Sequence, residues 1–272
     1  MLIEKLKYIW CIPKYLPYLQ PNLTDEVIKM AESKMGYKLP KRYLELLSFQ
    51  NGGYIRYTIP GIPHSQIYGI GPYFPSITDF QWLYEYEGYG LEIRGLFPFD
   101  GDGHWNLCLD YRRNKEEPEI TFVDIEIISE SLIAKNFDEY ISKLIIETEN
   151  EYVIQTSLTI DEVIKFISTA INCDFGKPDL LAHGYPIYRC KHEGNWIWIS
   201  PNKVKSGFIR LEDPRYEELK GQMETESLRF TEIDVNAILI TFSNREHAVK
   251  LTSLLKNCGL IVNELAQFID YF

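Results

Sequence analysis

The densest group of chemically capable side chains in the sequence is Asp100, Asp102 and His104, which are separated by single glycines. Two carboxylates and an imidazole this close together could hold a divalent cation. A calcium loop, however, needs further oxygen ligands and a distal glutamate, and a zinc site needs more histidine or cysteine. Aspartate beside glycine is also typical of turns in which the carboxylate accepts hydrogen bonds from backbone amides. We expect such a turn before a strand at residues 107–111; a metal-dependent enzyme that uses Asp102 and His104 is the alternative.

Other catalytic patterns are absent from the sequence. It contains no Gly-x-Ser-x-Gly elbow, no glycine-rich phosphate loop followed by a helix and lysine, and no cysteine in an electropositive setting. The five cysteines include no Cys-x-x-Cys pair, so we expect reduced thiols, with Cys108 buried. Cys190 lies between His183 and His192, and a Cys/His pair could bind a metal, although histidines in loops are commoner. We therefore expect no catalytic residue, no cofactor and no metal ion.

The charge of the chain bears on its partners. The net charge is −11, because residues 1–150 carry 15 basic and 22 acidic side chains and residues 151–272 carry 13 and 17. Without a stripe of lysine and arginine, the chain gains little from counterion release, so we expect no direct contact with nucleic acid. The charge would steer a basic protein toward it, or simply keep it soluble.

The N-terminus and the apolar runs bear on localisation. Charged residues at the N-terminus interrupt the apolar core that a signal peptide needs. No apolar run reaches the ~20 residues that span a bilayer. Together with the absence of Cys-x-x-Cys pairs, these observations favour a cytoplasmic protein that does not contact a membrane.

Residues 71–95 combine aromatic and acidic side chains without clear periodicity. Tyrosine and tryptophan anchor many protein interfaces, and neighbouring carboxylates would pair with lysine or arginine on a basic partner. The alternative is that several of these rings cover the sheet and join the core. We expect contacts with a protein partner at Tyr73, Trp82, Tyr84, Glu85, Tyr86 and Glu87, and less strongly at His104 and Trp105.

Local signals predict the helices that precede this span. Thr24 can cap a helix that Gly36 closes, because threonine accepts hydrogen bonds from the first turn and glycine tolerates the left-handed conformation at the end. Pro40 suits the first turn of a second helix. That helix ends at Asn51-Gly52-Gly53, whose residues accept positive φ, so the motif predicts the joint between the helices and the sheet.

After this joint the pattern changes to short β-like runs. The apolar spacing from Ile133 to Leu144 then predicts a closing helix. The polar residues 147–151 predict a boundary between a domain at residues 1–148 and one at residues 149–272. The candidate strands are residues 54–59, 66–70, 107–111 and 120–123.

The second half predicts a small α+β domain without a recognisable family. Thr159 and Glu162 form a capping-box pattern at the start of an amphipathic helix. Two strands are expected to form a hairpin around residues 192–195. The predicted strands are residues 186–190, 196–200 and 237–242, and the later helices are residues 245–255 and 264–271.

An ordered series of short motifs in the first half resembles the SUKH superfamily, over about residues 22–146. Single motifs such as Asn-Gly-Gly are weak, but their shared order and spacing are specific. One departure is Gly103-His104-Trp105-Asn106, where many members have a shorter polar step. The motifs are Ala31-Glu32, Gly36, Leu39-Pro40-x-x-Tyr43, Asn51-Gly52-Gly53, Ile59-Pro60-Gly61, Ile67-Tyr68-Gly69-Ile70, Leu96-Phe97-Pro98-Phe99-Asp100-Gly101-Asp102-Gly103, Cys108-Leu109-Asp110-Tyr111, Pro118-x-Ile120-x-Phe122 and Ile133-Ala134-x-x-Phe137-Asp138-x-Tyr140.

The resemblance implies an α+β fold with a mixed or antiparallel sheet and flanking helices. It implies binding rather than catalysis, because bacterial members resemble immunity proteins that neutralise polymorphic toxins, often nucleases. We therefore expect a protein that binds and occludes a cognate toxin. A regulatory scaffold related to cell-wall synthesis or signalling is the second hypothesis and the metal-dependent enzyme is the third, while the toxin and the oligomeric state stay open.

Overall fold

The computed structural model describes residues 6–79, 90, 92–180, 182–222 and 225–269. Contacts along the chain divide it into two compact units between Ile146 and Glu147. The boundary predicted from the sequence lies two residues further along. None of the described helices is long and apolar enough to cross a membrane.

The helices of the N-terminal unit begin where the sequence signals predict. The Thr24 hydroxyl accepts a hydrogen bond from Val27 N at 3.3 Å, and Gly36 ends the helix with φ of 78°. The second helix follows Pro40 directly. The helices of this unit are α1 (Asp25–Met35), α2 (Lys41–Phe49) and α3 (Phe137–Lys143).

A four-stranded antiparallel meander forms the sheet of this unit, in the order β4-β5-β6-β7. A register shift between Pro98 and Asp100 interrupts the β4–β5 ladder. A second, short ladder joins β2 to β3. The strands are β1 (Lys14–Tyr15), β2 (Gly53–Tyr54), β3 (Gln66–Ile67), β4 (Leu96–Gly101), β5 (Trp105–Asp110), β6 (Glu119–Asp124) and β7 (Ser129–Ala134).

Several sequence predictions in this unit extend beyond the observed elements, including the strand expected at residues 66–70, of which only Gln66–Ile67 is formed. The closing helix was expected to begin at Ile133, but Ile133 and Ala134 end β7, and Asn136 caps α3 by accepting from Glu139 N at 2.9 Å. The expected strand at residues 54–59 is reduced to isolated bridges after Tyr54, because Thr58 pairs with Ile145 instead of continuing the β2–β3 ladder.

Aromatic side chains pack the sheet against the helices. The ring of Phe99 on β4 meets Phe137 at 5.7 Å and Tyr140 at 5.3 Å, both edge-on and both from α3. Tyr43 of α2 packs edge-on against Phe137 at 5.3 Å. All four rings are buried, so their packing stabilises the contact of α2 and α3 with β4.

The C-terminal unit is built on a five-stranded sheet in the order β15-β8-β14-β10-β9, with every pairing antiparallel. The expected capping box is confirmed at Thr159 and Glu162. The elements are β8 (Glu151–Gln155), α4 (Ile160–Ile171), β9 (Tyr188–His192), β10 (Asn195–Pro201), β11 (Lys203–Lys205), β12 (Gly207–Phe208), α5 (Tyr216–Leu219), β13 (Glu226–Leu228), β14 (Ile238–Phe242), α6 (Arg245–Asn257) and β15 (Ile261–Glu264).

The predicted final helix at residues 264–271 is wrong within the described part. Residues 261–264 form β15 instead, because they pair with β8 at the edge of the sheet, and only one 3-10 turn, Leu265–Gln267, follows. The predicted hairpin around residues 192–195 is confirmed. Both units combine antiparallel sheets with helices, so the α+β fold class is confirmed.

Candidate functional site

A surface groove of about 530 Å³ lies in the N-terminal unit, between the segment at residues 71–79 and the β4–β5 turn. Aromatic, acidic and amide side chains line it together. The lining includes Gln66, Tyr68, Phe74, Asp79, Asp102 and Asn106.

The wall at residues 71–79 is held in place by the buried side chain of Gln20. Its amide donates to the carbonyl oxygens of Tyr73 and Pro75, the latter at 3.0 Å, and its Oε1 accepts from Tyr73 N at 3.0 Å. The Phe74 side chain between these two anchor points is 71% exposed. The backbone is therefore fixed where an aromatic ring faces solvent, an arrangement that reduces the entropy lost on binding.

The opposite wall is the turn that carries Asp102. Its Oδ1 accepts hydrogen bonds from the backbone N of His104 at 2.9 Å and of Trp105 at 3.2 Å. Slight desolvation would raise the pKa of Asp102, but these two bonds and the nearby His104 outweigh it and hold that pKa below its usual value. The groove therefore keeps a negative charge at neutral pH.

Two buried amide atoms at the groove have unused hydrogen-bonding capacity. Asn106 Nδ2 and Gln66 Oε1 have no partner among the residues that the structure describes. Such an orphaned polar atom costs about 1–3 kcal/mol. Asn106 is 6% exposed, so this cost is not relieved at the surface.

The predicted contact residues lie beside the groove or outside the described residues. Tyr73 is half-buried next to Phe74, and the exposed His104 pairs with Glu126 at 2.8 Å. Trp105 is half-buried and stacks on Phe122 at 5.7 Å. Five predicted residues lie outside the described chain: Trp82, Tyr84, Glu85, Tyr86 and Glu87.

Sequence reasoning missed Phe74, Asp79 and Gln66 as groove residues. Phe74 and Asp79 lie inside the aromatic and acidic span that was singled out, so composition located the region but not the exposed ring. No feature of the sequence indicates that Gln66 lines the groove, because its place beside the turn depends on the packing of β3 near β4.

Asp100 does not join Asp102 in a cation site. Its carboxylate is fully buried and lies 2.6 Å from His64 Nδ1, and its Oδ1 accepts from Gly101 N at 2.7 Å. Asp102 and His104 are likewise engaged with local amides and Glu126. The expected turn, with aspartates bonded to nearby backbone amides, is therefore confirmed.

The Asn51-Gly52-Gly53 turn joins three segments of this unit. Asn51 Nδ2 donates to Pro21 O at 2.7 Å, and its Oδ1 accepts from Ile70 N at 2.8 Å. Gly52 and Gly53 have φ of 93° and 132°. The turn is thus a joint between α2, the N-terminal segment and the strand region, as its sequence predicts.

Residues 22–143 match the model of the SMI1 / KNR4 family (SUKH-1). The N-terminal unit is therefore similar to SUKH-1 proteins over this range, and it is named the SUKH domain for this match. The resemblance expected over about residues 22–146 is confirmed, and the SUKH domain contains the whole groove. No curated protein matches the chain.

Proposed function

We propose that the SUKH domain binds a cognate protein toxin at the groove and neutralises it by occluding the toxin's active site or substrate channel. The observation that carries this proposal is the exposed Phe74 ring beside the acidic groove, on a backbone anchored by Gln20. The proposal assigns binding, and no catalysis, to this surface.

The groove offers both parts of a protein interface. Burying the Phe74 ring against a partner would contribute roughly 1.5–3 kcal/mol. The carboxylates of Asp79 and Asp102 line the same groove, and the whole chain is acidic. Electrostatic attraction of this kind raises association rates for a basic partner, which fits a toxin that handles nucleic acid.

Co-expression tests this proposal. The wild-type chain should restore growth of cells that produce the toxin encoded beside its gene. Phe74→Ala should weaken binding by roughly 2 kcal/mol, about 30-fold in Kd, as expected for a central aromatic anchor. Capture of endogenous regulatory proteins in place of any toxin would instead favour the scaffold hypothesis.

Charge reversal at the groove, compared with an equal change elsewhere, distinguishes attraction to the groove from attraction to the net charge of the chain. Asp79→Lys with Asp102→Lys should slow association, most strongly at low salt. Glu116→Lys with Glu117→Lys makes the same change in net charge in the exposed loop at the other end of β5. Equal effects of the two double variants on the association rate would contradict a binding site at the groove.

A further inference from the structure

The C-terminal unit brings together two histidines and a glutamate that are far apart in sequence. His192 ends β9, Glu193 begins the turn to β10, and His247 lies in the first turn of α6. Glu193 and Gly194 have φ of 50° and 82°, which fits a two-residue hairpin turn with both central residues left-handed. Asn244 caps α6 by accepting from His247 N at 2.9 Å, which holds His247 at the start of the helix.

The three side chains converge on one point. His192 Nδ1 lies 3.0 Å from His247 Nε2. One nitrogen of each ring and one carboxylate oxygen of Glu193 lie within 4.8 Å of one another. Two imidazole nitrogens that share a tetrahedral zinc ion at 2.0–2.1 Å lie about 3.3 Å apart. The two rings would therefore have to move slightly apart to share an ion. The observed distance also suits a hydrogen bond between the two rings.

His247 lies on the buried side of the cluster, whereas Glu193 and Lys250 lie on its exposed side. His247 is 5% exposed and packs edge-on against Phe242 at 6.1 Å. Glu193 is exposed, and Lys250 Nζ lies 3.0 and 2.7 Å from its two oxygens. The Lys250 side chain is 61% exposed, so its ammonium can move into solvent.

We propose that His192, Glu193 and His247 bind one divalent transition-metal ion, with Zn²⁺ the best fit, and leave a coordination position open. Two imidazoles and one carboxylate suit zinc, whereas Ca²⁺ and Mg²⁺ take oxygen ligands. His247 Nδ1 has no hydrogen-bond partner among the described residues. In high-affinity metal sites, a hydrogen bond from the second ring nitrogen usually fixes the orientation of the histidine, and this ring lacks one. The site is therefore an exchangeable one.

The proposal replaces the Cys/His pair that the sequence suggested. Cys190 is 3% exposed and packs in the hydrophobic core, and it is not among the three side chains of the cluster. The partner of His192 is instead His247, 55 residues away. Nothing in the spacing of the sequence indicates that pairing.

Zinc titration of the chelator-treated chain, residues 1–272, tests the site. Calorimetry should show one Zn²⁺ per chain and no binding of Mg²⁺. His192→Gln should weaken Zn²⁺ binding roughly tenfold or more, because loss of a ligand costs at least as much as loss of an outer partner. His183→Gln, a histidine of the same unit outside the cluster, should leave it unchanged. Absence of a stoichiometric site, or an equal loss in both variants, overturns the proposal.

Two further variants distinguish a ligand from a structural role. Glu193→Asn removes the carboxylate but suits the left-handed turn, so the fold should keep its melting temperature while Zn²⁺ affinity falls. Lys250→Met frees the Glu193 carboxylate and should raise Zn²⁺ affinity. If the two histidines are only hydrogen-bonded to each other, neither variant changes Zn²⁺ affinity.

Cobalt substitution checks the ligand atoms. The Co²⁺ complex should lack a thiolate-to-metal charge-transfer band, because its ligands are nitrogen and oxygen. A thiolate band would place the ion at a cysteine and overturn the assignment.

Discussion

His64 Nδ1 and Asp100 Oδ2 lie 2.6 Å apart, although 36 residues separate them and both side chains are essentially inaccessible to solvent. His64 Nε2 contacts the Tyr140 hydroxyl at 2.6 Å. Asp100 also accepts from Ser65 N at 3.0 Å. The network therefore joins the segment before β3, the strand β4 and the helix α3 inside the SUKH domain.

Breaking this network should strongly destabilise the SUKH domain. His64→Ala removes a hydrogen bond from both Asp100 and Tyr140 and leaves their buried oxygens with fewer partners, which should cost about 1–3 kcal/mol for each. Tyr140→Phe removes one hydrogen bond and should cost about 1 kcal/mol. Urea unfolding measures both, and a loss below about 1 kcal/mol for His64→Ala would mean that the network contributes little.

Acid should destabilise the SUKH domain through Asp110. Burial would raise the pKa of Asp110, but hydrogen bonds from Arg112 and Thr121 outweigh it and leave that pKa below its usual value. A carboxyl whose pKa is lower in the folded state than in the unfolded state stabilises the fold at pH values above its unfolded-state pKa of ~3.9. This contribution disappears as the pH falls through the pKa of the folded state.

The variant Asp110→Asn tests this pH dependence. It should lower the free energy of unfolding at pH 7 by about 3 kcal/mol, because it disrupts a largely buried ion pair with Arg112. It should also flatten the fall of that free energy below pH ~4. The control Glu117→Gln, at an exposed position, should keep the wild-type profile. An unchanged acid profile in Asp110→Asn would assign the acid sensitivity to other groups.

Gly69 should tolerate no side chain. A Cβ at Gly69 would lie 2.4 Å from Asn51 O and 2.7 Å from Gln20 Cγ. Gly69→Ala should therefore cost about 1–3 kcal/mol and shift the segment that Gln20 holds. Gly221→Ala is the matched control, because no atom lies within 4 Å of its added Cβ and its φ is not left-handed. Thermal melting compares the two, and equal melting temperatures would contradict the close packing.

The five thiols should react with Ellman's reagent in an order set by burial. Cys258 is exposed and should react first, with the half-buried Cys11 and Cys173 slower. Burial raises the pKa of Cys108, and burial followed by Cys173 raises that of Cys190, so both should stay protonated and react only on unfolding. Fast labelling of four or five thiols in the folded protein would contradict this order.

The sequence alone determined what depends on neighbours within a few positions. The cap at Thr24, the end of α1 at Gly36, the capping box at Thr159 and the hairpin turn after His192 all follow from local hydrogen bonds and allowed φ values. Their ordered spacing also led to the SUKH family. Sequence composition singled out residues 71–95, and residues 71–79 of this span form one wall of the groove.

Only the tertiary structure decided which distant side chains meet. Gln20 and Tyr73 are 53 residues apart in sequence but are joined by hydrogen bonds. In the segment that these bonds hold, Phe74 is exposed and Tyr73 is half-buried. His64 has no local signal that points to Asp100, and His192 has none that points to His247. Local periodicity carries no information on such pairs, because they form only when sheets and helices bury their apolar faces against each other.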